Sequence, residues 1–202
     1  MKCSFINSLT FFWEGQKKRF LRKFYLRKYM YRNPSKYVEL IKDNFYHIGD
    51  DVELFTSDFG AEPYLISIED KVRVAVGVKF INHDISCFRV ADYLGIENSK
   101  VDKVGSIVLH KNCYVGAYSI LLPNSSVGEN SVIAAGSVVT KHIPPNEVWG
   151  GVPAKFIMSL DDYAQKVVEN SLKYPWMENK ERMSKQELII ARQNFFFCKG
   201  YT

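Results

Sequence analysis

The chain has 202 residues, 47% of them hydrophobic and 24% charged, which is ordinary for a soluble globular protein and argues against a disordered or collagen-like chain. This length suits one well-buried domain with flanking elements and argues against two full domains. The formal net charge of +5 is unevenly placed, because every ionisable side chain from Lys17 to Lys36 other than tyrosine is Lys or Arg.

The N-terminal segment, residues 1–45, is predicted to be helical. Phe20, Phe24 and Tyr31 recur at helical spacing until Pro34 interrupts the pattern. The apolar stretch at residues 5–13 contains polar side chains and precedes no cleavage site, so no signal peptide is predicted. No apolar run reaches the roughly 20 residues that span a bilayer.

The basic run within this segment is compatible with several roles. A cluster of one sign suits contact with nucleic acid, anionic lipid or an acidic substrate, and it equally suits a solvated helix face. Of these we retain peripheral membrane contact and expect no nucleic-acid partner.

The cysteines indicate a reducing compartment. They are scattered and form no CxxC pair: Cys3, Cys87, Cys113 and Cys198. A chain of this size does not need a disulfide framework, so we expect free thiols and a cytoplasmic location.

A six-residue period dominates the middle of the chain. The recurring aliphatic residues are Leu109, Val115, Leu121, Val127, Ile133 and Val139. Small residues stand two positions before five of them: Cys113, Ser119, Ser125, Ser131 and Ser137. We interpret Gly116, Gly128 and Ala134, which follow aliphatic residues, as turn positions. A short strand followed by a sharp corner, three times per coil, predicts a β-solenoid.

The same period sets the domain boundaries. It reappears upstream from Ile48 to Phe80, with breaks near residues 58–64 and after His83. We therefore expect a solenoid domain over residues 46–158, with a protruding loop at 84–102 that marks a binding face. The solenoid should end after Pro144 and Pro145, and residues 159–202 should form a C-terminal helical extension that caps it.

Two segments resemble a known family. VGAYSILLPNSSVGENSVIAAGSVVTKHIPPNEVWGGVPAKFI, beginning at Val115, resembles the hexapeptide-repeat acyltransferase superfamily, above all in its ending. EPYLISIEDKVRVAVGVKFINHD, from Glu62 to Asp84, is similar to the polysaccharide and sugar O-acetyltransferase branch. The resemblance implies a left-handed parallel β-helix, homotrimers with active sites between subunits, acetyl-CoA as cosubstrate and a carbohydrate acceptor.

The resemblance also implies site residues. His83 aligns with the catalytic histidine, and an imidazole near neutral pKa suits general-base removal of a hydroxyl proton. Asn82 and Asp84 flank it as candidates for orienting the ring or the acceptor. The residues that carry over for binding acetyl-CoA are Ala117, Ala135, Thr140, Lys141 and Lys155. The small residues would admit the pantetheine arm, and the lysines would meet its phosphates.

Three alternatives accompany this interpretation. A metal hydratase of the γ-carbonic anhydrase type shares the fold, but His83, His110 and His142 are far apart in sequence, so no metal is expected. A non-catalytic solenoid could bind an anionic surface through the basic run. Within enzymes, N-acetylation of an amino sugar is the nearest competitor to O-acetylation.

Overall fold

The computed structural model describes residues 26–198 of the protein. Residues 1–25 of the predicted helical segment, which include most of the basic run and Cys3, lie outside the described residues. The chain divides after Leu160 into two compact units. No helix in the part that is described is long and apolar enough to cross a membrane.

The first unit begins with two helical stretches. Residues 26–32 are helical, and after a break at Asn33 a second helix, α1, spans Pro34–Ile41. The Asn33 side chain accepts a hydrogen bond from the backbone N–H of Lys36 at 3.0 Å, which caps α1. Pro34 therefore opens a helix, because the first helical position needs no N–H.

A left-handed parallel β-helix follows, as predicted. Its first sheet contains β1 (His47–Ile48), β3 (Ile66–Ile68), β6 (Ile107–Leu109), β9 (Ser125–Val127) and β12 (His142–Ile143). Its second contains β2 (Glu53–Leu54), β4 (Arg73–Val74), β7 (Tyr114–Val115), β10 (Val132–Ile133), β13 (Glu147–Gly150) and β14 (Lys155–Ser159). Its third contains β5 (Lys79–Phe80), β8 (Ile120–Leu121) and β11 (Val138–Val139). Neighbouring strands are parallel except for the β13–β14 pair, which is antiparallel.

The hexapeptide period builds the core. All six aliphatic residues from Leu109 to Val139 are fully buried, and so are the cysteine and serines two positions before them. Each buried serine hydroxyl donates to a backbone carbonyl, as Ser125 does to Leu122 at 2.6 Å, so burial leaves no hydroxyl unpaired. Burial also raises the pKa of Cys113 to about 12, which keeps its thiol protonated.

The corners of the coils differ from the prediction. The left-handed residues stand three positions after the aliphatic ones, for example Asn112, Asn124 and Asn130 with φ near 60°. Gly116 is required for a different reason: a Cβ there would lie 2.5 Å from the backbone nitrogen of Ala135 on the next coil. Its lack of a side chain therefore permits close stacking of coils.

Two other details differ from the prediction. The solenoid continues past Pro144 and Pro145, because β13 pairs in parallel with β10 before β14 turns back along it. The segment 84–102 contains a helix, α2 (Cys87–Leu94), followed by a 3₁₀ turn. Cys87 and Ala91 bury one face of α2, and Gly95 ends it with a φ of 65°.

The second unit is helical. It contains most of α3 (Leu160–Leu172), a 3₁₀ turn at Lys180–Arg182, α4 (Lys185–Gln193) and a π-helical turn at Asn194–Cys198. A reciprocal capping box between Ser184 and Glu187 starts α4. Tyr174 and Trp176 stack at 4.9 Å, and Phe195 packs edge-on against both rings.

Candidate active site

His83 lies where the chain leaves the third sheet for the α2 segment. It forms an antiparallel bridge with Val104, where the chain returns. On either side of that bridge, Asp84 N–H donates to Lys103 O at 2.8 Å and Gly105 N–H donates to Asn82 O at 2.9 Å. The 20-residue excursion is thus closed at its base by backbone bonds that hold the histidine in place.

Two carboxylates face the two ring nitrogens of His83. Glu62 Oε1 lies 3.1 Å from Nδ1, and Asp102 Oδ1 lies 3.3 Å from Nε2. The His83 and Glu62 side chains are 24% and 22% exposed, so this pair is largely shielded from solvent. A neutral imidazole that donates from Nδ1 to Glu62 keeps its lone pair on Nε2, which is the form a general base requires.

The amide of Asn82 holds the segment that carries Glu62. Its Nδ2 donates to the carbonyl oxygens of Phe59 at 3.1 Å and Glu62 at 2.7 Å. Its Oδ1 accepts from the Glu62 N–H at 3.2 Å. Asn82 is fully buried, and its side chain binds the backbone of Glu62. It therefore acts on His83 through Glu62, as a positioning residue.

Asp84 fastens the start of the excursion. Its carboxylate contacts Lys103 Nζ at 2.6 Å and accepts a hydrogen bond from the Ser86 N–H at 3.0 Å. The Lys103 hydrogen bond and then those from Ser86 lower the pKa of Asp84 to about 2. These contacts occupy the carboxylate and tie the two ends of the excursion together.

Tyr64 borders the same cluster. It follows a break in the hexapeptide period, where a 3₁₀ turn spans Pro63–Leu65. Its pKa is raised, by desolvation first and then by the nearby charge of Glu62, a hydrogen bond to that carboxylate, and the charge of Asp102. Tyr64 is 58% exposed and so borders the cluster on the solvent side.

Ala117 and Ala135 lie one above the other at the corner that precedes the third sheet. Ala117 is half-buried and Ala135 is exposed, and the Gly136 N–H donates to Ala117 O at 2.8 Å. A Cβ built on Gly136 would meet nothing within 4 Å. This corner therefore carries only small side chains and is open to solvent, which fits the close approach of a pantetheine arm.

Thr140 and Lys141 lie at the other corner of the coil, where the strands of the third sheet end. His83 lies at the same corner. Thr140 and Lys141 follow β11 as residues 81–82 follow β5, two coils away, or about 10 Å at the usual spacing of neighbouring strands. Lys141 Nζ lies 5.0 Å from the centre of the Trp149 ring, and Lys155 pairs with Gly150 next to it. Neither lysine has a carboxylate partner among the residues described, which fits binding of phosphates.

The structure thus groups the predicted residues around the third sheet and adds others that the sequence did not single out. Glu62 is 21 residues before His83, close to one coil, so the solenoid period could have indicated it. Asp102 and Tyr64 gave no such signal, because closure of the excursion brings Asp102 to His83 and the turn at Pro63 brings Tyr64 to Glu62.

No group of three or more His, Cys, Asp or Glu side chains in the described ranges has the arrangement of a metal site. His110 pairs with Glu69 at 3.0 Å, and His142 Nδ1 forms a hydrogen bond with the Ser126 hydroxyl at 2.6 Å. These histidines have local partners of their own.

Comparison with known proteins gives relatives at the levels of family, sequence and fold. The family model described as bacterial transferase hexapeptide (six repeats) matches residues 106–141. Protein CapG of Staphylococcus aureus is 38% identical over 156 residues, which cover 75% of this chain and 86% of CapG. Galactoside O-acetyltransferase of Escherichia coli K12 is 45% identical over 56 residues, 28% of each chain. The structure of a maltose O-acetyltransferase from Clostridium difficile 630 matches with a TM-score of 0.50 at 21% identity, covering 72% of this chain and 87% of that one.

Proposed function

Since this chain belongs to the hexapeptide-repeat acyltransferase superfamily, we propose that it transfers an acetyl group from acetyl-CoA to a hydroxyl of a sugar or polysaccharide. The superfamily membership confirms the resemblance seen in the sequence. The acetyl group and the sugar acceptor are supported by relatives named as O-acetyltransferases of galactosides and maltose. The acceptor we favour is a capsular polysaccharide, a lipopolysaccharide or a related glycan.

The observation that carries this proposal is the contact between His83 and Glu62 beside an open, lysine-flanked sheet. Glu62 accepts a hydrogen bond from Nδ1–H and so fixes the tautomer in which Nε2 can take a proton. It also stabilises the positive charge that the ring gains when it does so. Asn82 holds Glu62 through both its backbone N–H and its carbonyl.

In the reaction, Nε2 of His83 removes the proton of the acceptor hydroxyl as its oxygen bonds to the acetyl carbon. Acetyl-CoA supplies that carbon as a thioester, whose C–S bond breaks. His83 then returns the proton to the departing sulfur, so the products are the sugar ester and free CoA thiol. Each proton and bond is thereby accounted for without another reactant.

The remaining residues bind the donor in this proposal. Ala117 and Ala135 leave room for the pantetheine arm along the corner before the third sheet. Thr140 and Lys141 line the other side, whereas Lys155 pairs with Gly150 beside the corner of Ala135. The two ammonium groups would contact phosphates as point charges.

The proposal includes a homotrimer, because sites that combine residues from adjacent subunits are implied by the family resemblance. It also places the protein in the cytoplasm, with the basic N-terminal run in contact with a membrane surface. Sedimentation equilibrium tests the first point: a mass of one 23.3 kDa chain would refute the trimer.

The test is release of CoA thiol from acetyl-CoA in the presence of sugars and glycan fragments. We expect acceptor-dependent release that falls by roughly 10²-fold or more in His83→Ala. His110→Ala is the matched control, since it removes another imidazole paired with a glutamate, and it should leave release unchanged. The product should be an ester cleaved by mild base; a base-stable amide would instead establish N-acetylation. Release that His83→Ala leaves unchanged would refute the proposed base.

A further inference from the structure

The second ring nitrogen of His83 has an unusual environment. Nε2 is buried and makes no hydrogen bond among the described residues. Asp102 Oδ1 nevertheless lies only 3.3 Å away, within ion-pair distance but without hydrogen-bond alignment. The reactive nitrogen of the proposed base therefore faces a carboxylate.

When the imidazole is neutral, no hydrogen-bond donor from the described part of the chain lies between Nε2 of His83 and the Asp102 carboxylate. With Nδ1 donating to Glu62, both Nε2 and the Asp102 carboxylate present lone pairs to each other. Two acceptors at this separation are stable together only when donors satisfy both. A bound group with two neighbouring donors would meet that need.

We propose that Asp102 binds the acceptor by accepting a hydrogen bond from the hydroxyl adjacent to the one that reacts. The acceptor class is then a sugar with a vicinal diol whose hydroxyls are gauche. One hydroxyl donates to Nε2 and is acetylated, and its neighbour donates to Asp102. This inference rests on the proposed function and deepens it.

The geometry suits this class of acceptor. Gauche vicinal oxygens lie close to one hydrogen-bond length apart, about 2.8 Å, which resembles the 3.3 Å between Nε2 and Oδ1. A trans-diaxial diol directs its hydroxyls in opposite directions and reaches one acceptor only. The Nε2–Asp102 pair therefore selects for relative configuration as well as for a second hydroxyl.

The Asp102 side chain also has open space around it. The Asp102 side chain is 63% exposed, whereas Glu62 is 22% exposed. The backbone after Asp102 is fixed, because Lys103 O accepts from Asp84 N–H and Val104 bridges to His83. The carboxylate can therefore turn aside to admit a hydroxyl while its backbone stays in place.

The experiment compares acceptors that differ by one hydroxyl. The probes are methyl galactopyranoside and methyl glucopyranoside, each with its full set of monodeoxy analogues, assayed by acetyl-CoA-dependent thiol release. We expect the wild type to prefer the parent sugar over the analogue lacking the neighbouring hydroxyl by about 10- to 100-fold in kcat/KM, which is the usual worth of one hydrogen bond to a charged group. Asp102→Ala should discriminate by less than about twofold, because only the parent sugar loses a hydrogen bond in this variant. Asp102→Asn keeps a neutral carbonyl acceptor, so it should discriminate less than the wild type and more than Asp102→Ala.

Asp92→Asn is the control, because Asp92 is another carboxylate of the same excursion and pairs with Arg89 at 2.6 Å on the surface. It should keep the wild-type preference. Undiminished discrimination in both Asp102 variants, with thermal melting showing that they fold, would overturn the inference and leave the acetyltransferase standing. Equal thiol release by the wild type with every analogue would also overturn the inference and leave the acetyltransferase standing. Absence of acceptor-dependent release from the wild type would instead overturn the proposed function and this inference with it.

Discussion

Replacing Glu62 by glutamine tests the central contact of the proposed site. Gln keeps the length of the side chain and removes its charge. At the 3.1 Å separation of Glu62 Oε1 and His83 Nδ1, the attraction between carboxylate and imidazolium is about 1.3 kcal/mol in bulk water and about 5 kcal/mol at an effective dielectric of 20. Because the two side chains are 24% and 22% exposed, we take about 1.5–3 kcal/mol, the usual worth of a hydrogen bond to a charged group.

We expect the loss of this interaction energy to lower kcat. The charge on His83 develops only when it takes the hydroxyl proton, so Glu62 stabilises the transition state more than bound substrate. At 1.36 kcal/mol per tenfold, Glu62→Gln should lower kcat about 10- to 150-fold and leave the KM for acetyl-CoA within about twofold. In a His83→Ala background the same substitution should have almost no further effect, since the two residues act as a unit.

The chain offers a matched control. Glu69 pairs with His110 through the same atoms at 3.0 Å, away from the proposed site. Glu69→Gln should leave kcat unchanged, as measured by thiol release at saturating donor and acceptor. A Glu62→Gln enzyme within about twofold of wild-type kcat, or one whose only defect is a raised KM for acetyl-CoA, would refute the proposed role of Glu62.

Three further predictions concern positioning, acid stability and donor binding. Asn82→Ala removes three hydrogen bonds from a fully buried side chain, so urea unfolding should show a loss of about 2–4 kcal/mol, together with a lower kcat as Glu62 loses its anchor; unaltered unfolding would contradict this. The pKa of Asp84 is lowered from 3.8 to about 2 in the folded protein, so its contribution to stability is complete above the unfolded value and is lost as pH falls through that window. The melting temperature of the wild type should therefore fall more steeply from pH 4 to pH 2 than that of Asp84→Asn, and equal slopes would argue against the shift. Lys141→Gln and Lys155→Gln should each raise the KM for acetyl-CoA about 2- to 5-fold with kcat unchanged, as for an exposed ion pair of 0.5–1 kcal/mol. A KM for acetyl-CoA that neither substitution changes would exclude these lysines from donor binding.

The interpretation of the corners shows where local pattern misleads. Gly116 follows an inward aliphatic residue and was expected to supply a turn, yet the left-handed conformation falls at Tyr118, two residues later. What excludes a side chain at position 116 is the neighbouring coil, 2.5 Å from a Cβ. A linear sequence displays neighbours along the chain, while this constraint comes from a residue about one coil away.

The α2 excursion shows the same limit. Turn-forming residues such as Asp92 and Gly95 favoured a loop, but Cys87 and Ala91 provide a buried face at helical spacing. Eight residues are too few for periodicity to outweigh the turn signals, so packing against the solenoid unit decides that they form a helix.

The solenoid and its inward columns could be predicted from the chain alone, because a six-residue repeat imposes the same burial on every coil, and the break in that repeat located His83. The surroundings of the histidine could not be predicted in this way. Glu62 reaches it from the preceding coil and Asp102 from the far end of a closed excursion, at separations of 21 and 19 residues. Such contacts depend on coil stacking and on the backbone bonds at Val104, and neither leaves a periodic mark in the chain.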